Sequence, residues 1–222
     1  MVDSRVVVLF SKPPVPGRVK TRLIGSRVSA RQAADLHTAF LGDLCERLRG
    51  GAFELRVAWA ADGGEETPEL GVPAVRQRGA DLGERLYNGL IEVAQHADAV
   101  AAVGSDHPDL ELSLIDAAFA ALEGKADVVF GPATDGGYYL VALRTERLER
   151  RLFEGIRWST DEVLTASRER CRELGLTVEL LPPASDVDTP EDLAELERRL
   201  RGREADCPRT AAVLAGLAGA RA

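Results

Sequence analysis

The chain lacks the marks of a disulfide scaffold, a membrane protein and a nucleic-acid binder. Only three of its 222 residues are cysteine, Cys45, Cys171 and Cys207. They lie far apart without metal-ligand spacing, and an odd number gives no disulfide framework, so buried thiols are expected. No apolar run approaches the roughly 20 residues needed to span a bilayer. The opening residues, MVDSRVVVLF, carry an acid and no long apolar segment. They read as a first strand rather than a signal peptide, and a cytoplasmic protein with no membrane partner is expected. Positive charge is also short: 28 Lys and Arg face 36 Asp and Glu, a formal net charge of −8. That balance argues against a nucleic-acid partner, which would meet a basic face. It leaves room for a local basic pocket.

What is present suits one globular domain, because the hydrophobic fraction of 45% and the length allow a sizeable core. Strand-like and helix-like runs alternate from the first residues to about 201. Arg5–Phe10 is a continuous β-branched and apolar run, as in a parallel strand buried on both faces. Ser29–Arg49 carries Ala33, Leu36, Ala39, Phe40, Leu44 and Leu48 near a 3.6 period, with Ser29 as N-cap and Gly50-Gly51 as a stop. Further strands are expected at Phe53–Ala60, Pro73–Gln77, Ala99–Val103, Asp127–Phe130, Tyr138–Leu143 and Thr177–Leu181. Helices are expected at Asp81–Ala97, Leu112–Leu122, Thr160–Leu174 and Glu191–Arg201, the last with Pro190 in its first turn. The gap before Tyr138 is too short for a helical crossover, so that strand should run antiparallel to its predecessor. The stretch 62–66 reads as a loop. The pattern predicts an α/β fold, a mostly parallel Rossmann-like sheet with helices on both faces and one antiparallel strand. Residues 1–201 form the expected domain, and 202–222 a C-terminal helix or tail.

Ligands of open α/β sheets bind beyond the carboxyl ends of the strands, so the loops there matter most. After the first strand comes KPPVPGRVKTRL, with Lys12, Arg18, Lys20 and Arg22 within eleven residues. Three prolines stiffen this loop, and Gly17 allows close backbone approach to a ligand. Arg grips two phosphate oxygens at once and Lys supplies a compact charge, so the loop suits a polyphosphate. It is neither a Walker loop nor GxGxxG. After the fourth strand comes GSDHPDL with Asp106, and after the last comes DVDTPEDL with Asp186 and Asp188. Carboxylates in such places suit Mg2+ or Mn2+, with phosphate and water oxygens completing the shell. Thr189 or Asp188 would alternatively cap the following helix. GPATDGGYYL, holding Asp135, Gly136, Gly137 and Tyr138, reads equally as an acceptor-binding turn or as a hairpin with core tyrosines. QRGADLGER reads as a base-reading segment or as a helix start capped by Asp81.

Together with RWST, these segments make six collinear motifs over about residues 5–201, and they resemble the GT-A-like nucleotide-diphospho-sugar transferase superfamily. The motifs are most similar to a bacterial glycosyltransferase-like family allied to phospholactate guanylyltransferase and the molybdenum-cofactor guanylyltransferases. The resemblance implies that Lys12, Gly17, Arg18, Lys20 and Arg22 hold nucleotide phosphates, with Lys20, Arg22 and Asp106 in catalytic roles. It implies that Gln77, Gly79 and Gly83 line the nucleobase site and that Asp106 and Asp188 hold the metal. Asp135, Gly136, Gly137, Tyr138 and Trp158 would meet the acceptor, while Ser159 and Thr160 share the Trp158 motif. The pattern departs from the nucleotidyltransferases, whose first loop is Gly-rich. It departs from the glycosyltransferases too, whose DxD lies mid-chain where this chain has GSDHPD.

The first expectation is therefore a metal-dependent nucleotidyltransferase that moves a nucleoside monophosphate from a triphosphate to a small phosphorylated acceptor. A glycosyltransferase using a sugar nucleotide, with Asp135 as base, is the second, and a non-catalytic nucleotide-binding module the third.

Overall fold

The computed structural model describes residues 4–25, 28–61 and 63–219. Residues 1–3 of the opening segment, Asp62 of the expected 62–66 loop and residues 220–222 of the tail lie outside the described residues.

One seven-stranded sheet organises the chain. The strands are β1 (Arg5–Ser11), β2 (Glu54–Trp59), β3 (Ala74–Arg76), β4 (Ala99–Gly104), β5 (Val128–Pro132), β6 (Tyr138–Arg144) and β7 (Val178–Leu180), and they lie in the order β3-β2-β1-β4-β6-β5-β7. Every neighbouring pair is parallel except those made by β6, which runs antiparallel to both β4 and β5. The antiparallel strand expected from the short gap is therefore present. At its turn Gly136 takes φ 90°, and a Cβ there would lie 2.2 Å from the Asp161 carbonyl oxygen. Only glycine fits that approach.

The continuous apolar character of β1 follows from burial on both sides. Val7 and Leu9 face one core, with Leu41, Leu44 and Leu48 of α1 (Ala30–Leu48) and Ile115 and Phe119 of α3 (Leu112–Glu123). Val6, Val8 and Phe10 face the other, with Leu86, Leu90 and Val93 of α2 (Leu82–Ala94) and Cys171 of α4 (Val163–Glu173). Helices thus cover both faces. A third cluster lies on the far side of α1, where Ala33, Leu36 and Phe40 pack under Leu193, Leu196 and Leu200 of α5 (Pro190–Leu200) and Leu214 and Leu217 of α6 (Pro208–Gly219).

The helix starts use the signals read in sequence. Ser29 caps α1 and Gln32 reciprocates, a capping box. Asp81 caps α2 through the Glu84 amide, and Thr189 with Asp192 boxes the start of α5. The largest boundary differences, three residues each, are at the end of α2, expected to Ala97 but ending at Ala94, and at the start of α4, expected from Thr160 but starting at Val163. Ser159 takes φ 63° and the Thr160 hydroxyl donates to the Arg157 carbonyl oxygen, so the chain turns there before the helix begins. The three cysteines are free and buried, and burial pushes the Cys45 and Cys171 thiols up to about 11. Among the described residues no helix is long and apolar enough to cross a membrane.

Candidate functional site

Parallel pairing sends the carboxyl ends of β1, β4, β5 and β7 to one edge, and antiparallel β6 starts there. The loops 12–23, 105–111, 133–137 and 181–189 therefore share that edge, which gathers segments more than 160 residues apart in sequence. Two main-chain contacts tie them. The Val187 amide donates to the Asp106 carbonyl oxygen at 3.0 Å, and the Thr134 amide donates to the Ala184 carbonyl oxygen at 3.2 Å.

Lys20 sits at the centre. Its Nζ is 2.5 Å from Asp106 Oδ1 and 3.1 Å from Asp188 Oδ1, and it donates to the Val187 carbonyl oxygen at 2.7 Å. The Phe40 ring of α1 lies beneath, its centroid 5.6 Å from Nζ. Only 3% of the Lys20 side chain is exposed, against 42% for Asp106 and 34% for Asp188. The Lys20 backbone takes φ 47° and ψ 39°, a left-handed conformation uncommon outside glycine and concentrated at sites whose contacts enforce it. The Val187 amide–Asp106 bond and the Lys20–Val187 bond hold both acidic loops against the basic one.

The other cations of the loop face solvent. Arg18 is 62% exposed and pairs with Glu65 at 2.7 Å, and Arg22 is 76% exposed with NH1 3.9 Å from Asp188 Oδ2. Lys12 is exposed, and Gly17 forms the exposed bend between it and Lys20 with φ 80°. The four cations of the loop thus divide into one buried ion and three at the rim.

Electrostatics at the edge follow burial and the uneven supply of charge. Burial pushes the Asp106 carboxyl up, but the Lys20 charge and hydrogen bond outweigh it and hold it below the usual carboxylate range. Asp186 has no such cation, so burial, then the neighbouring Asp135, Asp188 and Asp192 carboxylates, raise it to about 6. Burial lowers His107 to about 4 despite Asp106 beside it, and neither of its ring nitrogens has a hydrogen-bond partner among the described residues. Its ring packs 5.3 Å from that of Tyr139. Asp192 is committed to the α5 start, accepting from the Asp188 and Thr189 amides at 3.1 and 2.7 Å. Among the described residues no three or more His, Cys, Asp or Glu side chains are gathered for a metal. The protein brings two carboxylates to one cationic seat.

The expected base-side residues are near the edge but differently engaged. The Gln77 amide nitrogen donates to the Ser11 and Ala58 carbonyl oxygens at 3.2 and 2.8 Å, which fastens the end of β3 to its neighbours. Gly79, at φ 145°, lies against the Glu84 side chain, and Arg85 Nε donates to its carbonyl oxygen. Gly83 lies against the Phe153 carbonyl oxygen and the Trp158 ring.

On the acceptor side, Asp135 accepts from the Gly137 amide in the β5–β6 turn and remains exposed. Tyr138 departs from the expected acceptor contact: its hydroxyl is enclosed beside Ser167 in a pocket with Phe153 and Phe130, as in the hairpin-with-core-tyrosines alternative. Burial pushes that phenol far above its ordinary range. Trp158 sets its ring edge-on to Tyr138, centroids 6.3 Å apart, and so closes the same side.

Sequence reading missed His37. Its Nε2 lies 3.1 Å from both Ser11 Oγ and the Lys12 carbonyl oxygen, which pins the end of β1 where the basic loop departs. Burial lowers its pKa. The signal was a histidine among the apolar positions of α1, beside Leu36 and Phe40.

No curated protein matches the chain in sequence. A crystal structure from Desulfovibrio desulfuricans G20, under the provisional name of nucleotide-diphospho-sugar transferase, is 31% identical with a TM-score of 0.87, covering 97% of this chain and 95% of that one. Two further structures share the fold alone. CMP:2-keto-3-deoxy-manno-octonic acid synthetase in complex with CTP is 15% identical with a TM-score of 0.58, covering 90% of this chain and 99% of that one. The 2-C-methyl-D-erythritol 4-phosphate cytidylyltransferase of Thermus thermophilus is 19% identical with a TM-score of 0.55, covering 90% and 100%. These neighbours agree with the superfamily resemblance carried by the six motifs. A family model matches residues 44–160, from within α1 to the RWST turn. The chain belongs to the family described as "uncharacterized protein conserved in bacteria" (DUF2064).

Proposed function

We propose that the chain is a nucleotidyltransferase that moves a nucleoside monophosphate from a triphosphate onto a phosphate of a small acceptor and releases pyrophosphate. The seat of Lys20 carries this reading. Carboxylates from two distant loops converge on one positive charge, in the same loop that presents Lys12, Arg18 and Arg22 to solvent. Asp106 and Asp188 come from loops after separate strands, β4 and β7.

The donor set fits a hard divalent ion, because the two aspartates already share a cation and would leave its other positions to phosphate and water oxygens. When bound, such an ion lowers the charge repulsion that opposes attack on a phosphoryl group. The chain's own residues do the rest. Lys12 and Arg18 bind the outer phosphates, and Lys20 and Arg22 neutralise the charge that develops on the departing pyrophosphate. An oxygen of the acceptor phosphate attacks the α-phosphorus in line. The bond from that phosphorus to the bridging oxygen breaks, and its electron pair leaves with pyrophosphate. The attacking oxygen is already ionised near neutral pH, so no general base and no covalent nucleophile are required. The acceptor enters beside the 135–137 turn, with Trp158 behind it.

The provisional name of the Desulfovibrio relative favours a second reading, transfer of a sugar from a sugar nucleotide. Product analysis separates the two. Pyrophosphate release from a triphosphate with phosphorylated acceptors supports the first, and nucleoside diphosphate release from a sugar nucleotide the second. Nucleotide binding without turnover would leave only a binding module. Asp106→Asn should cut turnover at least about 100-fold with an unchanged fold, and Lys20→Ala should weaken nucleotide binding most. Full activity in both variants would show the site to be elsewhere.

A further inference from the structure

We infer that Lys20 is a resident counter-ion that keeps divalent metal out of the free protein and yields its seat only to a metal that arrives with a polyphosphate. This rests on the phosphate-and-metal reading above. An ammonium has three donors, and here all three have partners: Asp106 Oδ1, Asp188 Oδ1 and the Val187 carbonyl oxygen. The group is enclosed, with the Phe40 ring beneath it. The two carboxylate oxygens are no further apart than the sum of their distances to Nζ. An ion bound to Asp106 Oδ1 at about 2.0–2.1 Å would lie within about 4.6 Å of the ammonium, since that oxygen is 2.5 Å from Nζ. Two cations cannot share that seat without strong repulsion.

A bare metal would have to expel Lys20 with nothing to receive its charge, and among the described residues no third ligand side chain is gathered to help it. A polyphosphate changes the balance. Its oxygens give the displaced ammonium new partners and supply the metal's missing ligands, so the exchange conserves paired charge. Arg22, already 3.9 Å from Asp188, stands at the rim where those oxygens would pass. Metal and polyphosphate must then favour each other's binding by the same factor.

The test is Mn2+ binding without nucleotide, followed by the loss of the free-ion electron paramagnetic resonance signal, in the wild-type chain and in Lys20→Met. The variant should bind Mn2+ at least about tenfold more tightly, and the added Asp188→Asn should abolish the gain. Wild-type binding as tight as the variant's would overturn the inference and leave the metal site standing. No binding by either chain would sink the inference together with the metal assignment of Asp106 and Asp188. Should Lys20→Met not fold, melting of the wild-type chain decides the matter. Mn2+ with tripolyphosphate should raise the melting temperature by more than the two separate shifts together. If Mn2+ alone gives the full shift, Lys20 is no barrier.

Discussion

A single methyl group at Gly83 tests how the acceptor side is built. A Cβ there would lie 2.4 Å from the Phe153 carbonyl oxygen and 2.8 and 3.0 Å from Nε1 and Cζ2 of Trp158. Ordinary contacts begin near 3.5 Å, so the first turn of α2 and the 153–158 segment must part by about 1 Å. Overpacking of this kind costs about 1–3 kcal/mol. The better helix propensity of alanine offsets up to about 1 kcal/mol of it. Gly83→Ala should therefore lose about 1–2 kcal/mol and melt about 2–8 °C lower in a chain of this size. Gly216 in α6 provides the control, because a Cβ there meets nothing within 4 Å. Gly216→Ala should be neutral or raise the melting temperature, since alanine restricts the unfolded chain. Calorimetric melting of both variants reads the difference, and Gly83→Ala combined with Trp158→Ala should lose less than the sum of the two. Two alanine variants of equal stability would refute the packing of Gly83 on Trp158.

Asp127 binds the Thr177 amide and hydroxyl and pairs with Arg147 at 3.1 Å; burial opposes its ionisation, but these contacts hold its carboxyl below the usual value. The unfolded chain takes up this proton first as pH falls, so the stabilisation is complete above about pH 4 and is lost through the folded-state pKa below it. Asp127→Asn should cost about 1–3 kcal/mol at pH 7 in urea unfolding, with the gap from wild type closing below about pH 4; a gap independent of pH would refute the assignment. Asp43 of α1, fully buried, accepts from the Arg209 and Thr210 amides at the start of α6. Asp43→Ala should weaken that docking by about 1–2 kcal/mol and speed amide exchange in α6 alone, and unchanged α6 exchange would count against the cap.

The fold was legible because its signals are local. The unbroken run of β1, the Ser29 and Thr189 caps and the short gap before Tyr138 each fix their element without distant help. The sheet edge then follows from strand direction, and with it the shared location of the basic loop and the two acidic ones. What stayed hidden is side-chain commitment over long separations. Gln77 fastens β3 and Gly83 seats Trp158, contacts that no local signal in the 77–85 segment gives. Equally, nothing near Lys20 says that it is buried while Arg18 and Arg22 are not. That difference is set by Phe40, twenty residues on, and by Val187, at the far end of the chain.

The division of charge at the edge also orients a ligand. Asp106, Asp135, Asp186 and Asp188 lie in the loops at the strand ends, while Lys12, Arg18 and Arg22 stand exposed at the rim. An anion approaching the rim meets exposed cations first and is repelled by the acidic floor, except where Lys20 compensates it. On the proposed reading a polyphosphate would settle across the rim, and its oxygens would receive the Lys20 ammonium when a divalent ion took its seat. The acidity of the chain as a whole fits this arrangement. With a net charge of −8, the exposed positive charge of this loop comes from Lys12, Arg18 and Arg22, while the left-handed turn accompanies a Lys20 whose charge is buried among acceptors. Without that turn Asp106 would lose the ammonium that holds its charge, and Asp188 would keep only Arg22, 3.9 Å away at the rim.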